Sequence, residues 1–243
     1  MGFLRFKPLV PGIITRIIPF RSIIWLLDWE VGHLLIRNCL TERKNLKVVL
    51  PDETVQEVLE KMEGHLSLPC VNENNQFLGI ISKRTVFEAF QSGVQRGQSY
   101  EDFLQSTAKT CLDTTVATLS LDDPFERTVD IIIRHPFVAI TQDGALVGIV
   151  KRGDVNKVLS VAFANNIDSQ RLLLGTAEVE GALQRLFTVT HRLGINVITA
   201  IPFDAGSNVL NRRILLKVSR TSRFQQLVHQ LETAGFLVVE STP

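Results

Sequence analysis

Gly79-Ile80-Ile81-Ser82-Lys83-Arg84-Thr85-Val86 is echoed 69 residues later by Gly148-Ile149-Val150-Lys151-Arg152-Gly153-Asp154-Val155. Each stretch reads as an apolar strand that stops in a short polar turn and restarts as a helix. A strand-to-helix turn aims unpaired backbone N–H groups at one point, and that point suits a phosphate. Two such turns in one chain suggest two facing niches for anions.

The echo extends outward on both sides. In the first copy Val48-Val49-Leu50 is a leading strand before Pro51-Asp52-Glu53-Thr54. Val55, Val58, Leu59 and Met62 then recur at helical spacing, with Asp52 or Thr54 as the cap. Residues 66–71 and 76–81 predict two strands around the turn Asn72-Glu73-Asn74-Asn75. In the second copy Thr118-Leu119-Ser120-Leu121 leads into Asp122-Asp123-Pro124. Asp123 is expected to cap a helix with Pro124 at its first position and Phe125, Val129 and Ile132 on one face. His135-Pro136-Phe137-Val138-Ala139-Ile140, the turn Gln142-Asp143-Gly144 and residues 145–150 repeat the hairpin. One copy of strand, helix, strand, strand, helix leaves a sheet face bare, so the two are expected to pack about a pseudo-twofold axis. Between them, residues 91–99 read as a polar loop and 100–108 as a helix with Phe103 and Leu104 inward.

The last third changes character. Residues 171–176 read as a strand, and 180–193 as a helix with Leu183, Leu186, Phe187 and Val189 inside. A strand at 195–201, a turn at 204–208 and a strand at 213–218 follow. A helix at 224–234, with Leu227, Val228 and Leu231 apolar, and a strand at 236–240 close the chain. The order βαββαβ predicts a split-βαβ sheet with its helices on one side.

The bulk numbers exclude several functions. The 243 residues are 45% hydrophobic, enough for two or three packed domains. Net charge is +1, from 26 basic and 25 acidic residues, which argues against nucleic acid as the main partner. Cys39, Cys70 and Cys111 are odd in number and lack CxxC spacing, as reduced thiols of a cytoplasmic protein would. The five histidines are scattered, and no metal cluster, Walker loop or nucleophile–base pattern emerges. Asp52-Glu53 and Asp122-Asp123 sit at helix starts, where capping explains them. No catalytic residue is assigned.

Residues 1–32 form a distinct arm. Arg5, Lys7, Arg16 and Arg21 break up its apolar pieces, and Pro8, Pro11 and Pro19 divide it further. No run approaches the ~20 apolar residues that cross a bilayer. A basic arm bearing Trp25 suits an acidic membrane surface. The weightier expectations are a loose arm or a start codon set too far upstream.

The element order, the leading strands, Leu68-Pro69 and His135-Pro136 opening the second strands, and the glycine-led closing motif resemble the CBS domain. The two copies resemble a tandem CBS (Bateman) pair over about residues 33–163. That family implies adenine nucleotides bound in clefts between copies, the base against apolar strand residues and the closing turn on ribose and phosphate. The family motif runs Gly, two apolar residues, Ser or Thr, two variable positions, Asp. Here the first copy has Ser82 but Thr85 in place of Asp, and the second has Asp154 but Lys151 in place of the hydroxyl. Both turns carry a basic pair, Lys83-Arg84 and Lys151-Arg152. The nucleotide-binding residues implied are Val48, Leu68, Pro69, Ser82, Arg84, Thr85, Thr118, His135, Pro136, Lys151, Arg152 and Asp154.

The last third resembles the ACT domain through Val179-Glu180-Gly181-Ala182-Leu183 and Gly194-Ile195-Asn196-Val197. Gly181 is expected to permit a close helix approach, and the domain to serve dimerisation and relay. The fold expected is α+β. A basic arm at 1–32 precedes CBS domain 1 at 33–92, an inter-repeat segment at 93–110 and CBS domain 2 at 111–163. A ferredoxin-like ACT domain spans 169–241. The whole resembles bacterial CBS–ACT regulators of cyclic di-AMP, a second messenger, and Asn211-Arg212-Arg213 fits that group too. The expectation is a non-enzymatic homodimeric sensor that binds cyclic di-AMP and acts on an unidentified protein partner. The alternatives are an AMP/ATP-sensing regulator of acetoin-type carbon metabolism, or an adaptor subunit with a vestigial nucleotide site.

Overall fold

The computed structural model describes residues 35–177, 180–204 and 212–243. The basic arm, Val179, Asn211 and the turn residues 205–208 lie outside the described residues. The chain divides into two units, one ending at Arg152 and the other beginning at Gly153.

In the N-terminal unit, Thr54 opens helix α1 (Val55–Lys61) with a capping box. Its hydroxyl accepts from Glu57 N–H at 3.2 Å, and Glu57 Oε2 accepts from Thr54 N–H at 2.7 Å. Val55, Val58 and Met62 are buried on the expected face. They pack with Leu68, Cys70 and Ile81 from the hairpin β2 (Ser67–Val71) and β3 (Phe77–Ser82). Helix α2 (Lys83–Gln95) runs five residues into the expected polar loop. A shorter helix α3 (Tyr100–Leu104) follows, and Phe103 and Cys111 plug the same core. Burial, and next the charges of Glu53 and Asp52, push the Cys70 thiol up to about 11, as befits a packing residue rather than a nucleophile.

The second copy has β4 (Thr118–Leu119), α4 (Arg127–Arg134), β5 (Phe137–Gln142) and β6 (Ala145–Lys151). Its helix starts later than expected, because Asp123 does not cap it. That carboxylate accepts from Ser120 N–H at 2.7 Å and pairs with Arg127, so residues 124–126 remain a turn. Leading segments then cross over. Strand β1 (Leu40–Glu42), which precedes copy one, pairs antiparallel with β6 of copy two, in a sheet ordered β1-β6-β5-β4. Asp113, which precedes copy two, pairs antiparallel with Ile80 on β3 of copy one. The bond pairs match: Phe77 N–H donates to Gly144 O (3.0 Å) and Leu146 N–H to Asn75 O (2.9 Å). Gln76 and Ala145, equivalent by the 69-residue offset, bridge each other. Equivalent residues meeting one another is the signature of the expected twofold relation. Val71 and Ile80 from one copy share a core with Val116, Phe137, Ala139, Leu146 and Ile149 from the other.

Helix α5 (Arg152–Ala162) follows β6. The C-terminal unit then has β7 (Gln170–Thr176), α6 (Ala182–Arg192), β8 (Val197–Asp204), β9 (Arg212–Val218), α7 (Phe224–Thr233) and β10 (Leu237–Thr242). The sheet is antiparallel throughout, ordered β10-β7-β9-β8. Leu186, Leu227 and Leu231 from the helices meet Leu172, Leu174, Ile214 and Leu216 from the sheet in one core. Phe187, expected inside, is 45% exposed, because α6 turns Leu186 and Val189 inward instead. Gly181 caps α6 at φ +69°, and a Cβ there meets only Arg185 Nη1, at 3.8 Å. Left-handed backbone, not the close helix approach expected, accounts for this glycine. The last residue of α5 and the segment after it are tied to the sheet of their own unit. Thr199 Oγ1 donates to Ala162 O at 3.1 Å, and Lys217 Nζ to Ala164 O at 3.2 Å. Among the described residues, no helix is long and apolar enough to cross a membrane.

Candidate functional site

Both strand-to-helix elbows form as the repeat implies. At the first, Ser82 ends β3 and caps α2. Its hydroxyl accepts from Thr85 N–H (3.1 Å), while Thr85 Oγ1 accepts from Ser82 N–H (2.9 Å) and donates to Ser82 O (3.0 Å). Both hydroxyls are thus committed to the helix start. Lys83 N–H donates to Leu66 O at 3.0 Å, leaving the exposed side chains of Lys83 and Arg84 as what the elbow presents outward. Arg84 Nε also holds Glu88 at 2.8 Å, one turn along α2. At the second elbow Lys151 ends β6 and Arg152 starts α5, both exposed. Arg152 N–H donates to Pro136 O (3.0 Å), and its Nη2 to His135 O (2.9 Å).

The glycine that opens each motif has a backbone reason. A Cβ on Gly79 would lie 2.2 Å from Asp113 O, and one on Gly148 would lie 2.4 Å from Thr41 O. Each is the point where the leading segment of the other copy crosses the third strand. Asp113 and Thr41 are therefore equivalent positions, paired with Ile80 and Ile149.

That crossing delivers a carboxylate the sequence reading did not select. Asp113 Oδ1 accepts from Thr115 Oγ1 (2.6 Å) and Thr115 N–H (2.9 Å). Its Oδ2 lies 3.9 Å from His135 Nδ1. Thr115's hydroxyl and amide, then the charges of His135 and Arg84, hold the Asp113 carboxyl below the usual carboxylate range. Within the N-terminal unit Asp113 thus faces His135 and feels the charge of Arg84, while Arg152 holds His135 O. Asp113-Thr114-Thr115 has the form of an Asx turn, but only the strand crossing reveals what it faces.

The remaining candidates separate. Val48 is half-buried against the shared core, Pro136 is half-buried just before β5, and Thr118 is exposed at the start of β4. Asp154 is half-buried in the first turn of α5. Leu68 and Pro69 do not open their strand as His135-Pro136 does. Pro69 pairs with Ile80, and Ile149, the equivalent of Ile80, pairs with Ala139; Pro69 therefore matches Ala139 rather than Pro136. Both Leu68 and Pro69 are buried, which removes them from any surface a base could touch in this conformation. Proline is tolerated mid-strand because Ile80 turns its N–H and C=O away to Asp113, while Pro69 supplies only its carbonyl, to Val49 N–H.

Two cavities sit at the hairpin end of the strands, away from the elbows. One of about 550 Å³ is lined by Leu50, Asp52, Glu53, Asn72 and Asn74. The other, about 490 Å³, is lined by Arg37, Ser120, Asp122, Gln142 and Asp143. Their carboxylates make them poor receptors for a phosphate.

Residues 39–92 match the CBS domain family. That match falls on the first copy of the repeat. Over 151 residues it is 26% identical to an uncharacterized protein of Methanocaldococcus jannaschii, a match covering 60% of this chain and 48% of the other. The chain thus spans about half the length of the curated relative it matches. Among solved structures, it is similar to a CBS domain protein from Streptococcus pneumoniae at 19% identity and a TM-score of 0.49, covering 61% of this chain and 99% of that one. It is also similar to CbpB in complex with c-di-AMP, at 18% identity and a TM-score of 0.46, covering 60% and 99%.

Proposed function

We propose that the N-terminal unit is a non-catalytic sensor of an adenine nucleotide, and that the ligand is cyclic di-AMP held at the two elbows. One observation carries this reading: in a chain whose residues 39–92 match the CBS domain, each of two basic helix starts acts on the Asp113–His135 pair, Arg84 through its charge and Arg152 by holding His135 O. Cyclic di-AMP brings two phosphodiester charges and no terminal phosphate. Arginine grips such a group through paired donors. The first elbow suits it, because its hydroxyls are spent on the helix cap and its guanidinium remains.

In this reading the second copy completes a tandem pair, and the C-terminal unit is an ACT-type domain through which a homodimer relays the bound state to a protein partner. The fastening of residues 162–164 to Thr199 and Lys217 supports the relay, since the end of the helix that starts at the second elbow is fixed to that sheet. A ligand that prefers one arrangement shifts the population toward it. Asp154, the motif acid of the second copy, favours a second reading with AMP or ATP as the ligand.

Calorimetry with cyclic di-AMP, AMP and ATP separates the two. Heat with cyclic di-AMP is expected. Heat with AMP or ATP alone selects the second reading, and silence with all three rejects both.

A further inference from the structure

Asp113 is an odd residue to find between two basic elbows. A carboxylate there repels phosphate, so its place in a nucleotide cleft must be to accept hydrogen from a neutral donor. Its Oδ1 is saturated by Thr115. Its Oδ2 has no hydrogen-bond donor among the described residues, and His135 Nδ1 lies 3.9 Å from it. The backbone on either side is pinned, Asp113 N–H to Ile80 O at 2.9 Å and Ile80 N–H to Asp113 O at 3.0 Å, so the free oxygen is held in position.

The twofold relation adds an independent argument. Position 113 in one half corresponds to position 41 in the other, and position 85 to position 154. The first set is Asp113 with Thr85; the second is Thr41 with Asp154. Each set holds one acid and one hydroxyl, with the two exchanged between elbow and leading strand. A solvated surface acid would have no reason to appear where its counterpart elbow has lost one.

We infer that Asp113 reads the ribose at the first elbow, its Oδ2 accepting from the 2′-hydroxyl of a ligand whose adjacent phosphodiester is held by Arg84. In a 3′,5′-linked ribonucleotide those two groups sit on neighbouring carbons, which suits a carboxylate within reach of a guanidinium's charge. The inference rests on the nucleotide reading above, and it makes the site selective for ribose over deoxyribose.

The test is calorimetry on the whole chain with cyclic di-AMP and its 2′-deoxy analogue, and with AMP and 2′-deoxy-AMP. Wild type, Asp113→Asn and Asp113→Ala are compared, each with a melting curve to certify folding. A charge-assisted hydrogen bond predicts about a ten- to hundredfold preference for the ribo form in wild type. In both variants the preference falls to within about threefold, through loss of ribo affinity. Equal binding of ribo and deoxy ligands by wild type overturns the inference while leaving the nucleotide reading intact. So does a preference that survives in a folded variant. Tighter ribo binding by Asp113→Ala also overturns it, since that would make Asp113 a resident anion that competes with the ligand. No binding of any of the four by wild type overturns both readings together.

Discussion

Arg152 fastens its elbow twice, through its N–H to Pro136 O and its guanidinium to His135 O. In the proposed site it also contacts phosphate. Arg152→Ala and Asp154→Ala are each expected to weaken nucleotide affinity by about 1–3 kcal/mol, read by calorimetry. Unchanged affinity in both would place the nucleotide elsewhere. Asp113 gives a pH signature. Its folded pKa lies below that of the unfolded chain, so its stabilisation is fully present above the unfolded value of about 3.9 and is lost as pH falls through the folded value. Thr115→Val removes the main cause of that depression, so it should lower the melting temperature at pH 7 more than at pH 3. An equal loss at both would show that the Thr115 contact does not act through the carboxylate's charge. Sequence reading selected Arg84 and Arg152 because a basic turn before a helix is a local pattern, and His135 through the resemblance to the CBS domain. It passed over Asp113, whose role depends on a partner 33 residues back in the chain. It also assigned the Ser82 and Thr85 hydroxyls to a ligand, when the cheaper use is the helix's own open N–H groups.

Elements obey the same division between local and distant causes. Helix faces were readable from spacing: Val55, Val58 and Met62 are buried as the pattern requires. Starts were less so, since Asp123 could close a turn or cap a helix and Ser120 and Arg127 decided it. The glycines give a clean comparison. Gly79→Ala would force a Cβ to 2.2 Å from Asp113 O at a φ of +153°, and should cost at least about 1–3 kcal/mol. Gly153→Ala meets nothing within 4 Å near the start of a helix and should stabilise by about 0.4–1 kcal/mol. Denaturant unfolding distinguishes them, and similar midpoints would show that the leading segment yields readily. Thr54→Ala, which removes the cap of α1, should cost about 1 kcal/mol by the same measurement.

At the scale of the whole chain, the 69-residue echo and the βαββαβ order were legible because both are patterns of hydrophobicity along the sequence. The register of β2 was not, since Pro69 and Pro136 look alike in a string and only strand pairing shows them three positions apart. Among the described residues, the core of the C-terminal unit is built from Leu172 to Phe236, with Val238 packed against it. It should therefore melt on its own terms. Leu216→Ala, at a fully buried site, is expected to cost about 2–5 kcal/mol and to lower one calorimetric transition while leaving the other in place. A single transition that moves as a whole would show that the units unfold together.

The exchanged leading segments make each half of the N-terminal unit unfit to stand alone. Cutting the chain after residue 92 would bare the outer edge of Ile80, and residues 40–42 would lose β6, the strand they pair with. Bare edges recruit other edges, so such a fragment should self-associate, two molecules trading the same segments that one chain now trades within itself. The stretch that matches the CBS domain thus completes its strand pairing only with a second repeat, and in this chain a tether supplies that repeat where a separate molecule would have to be met.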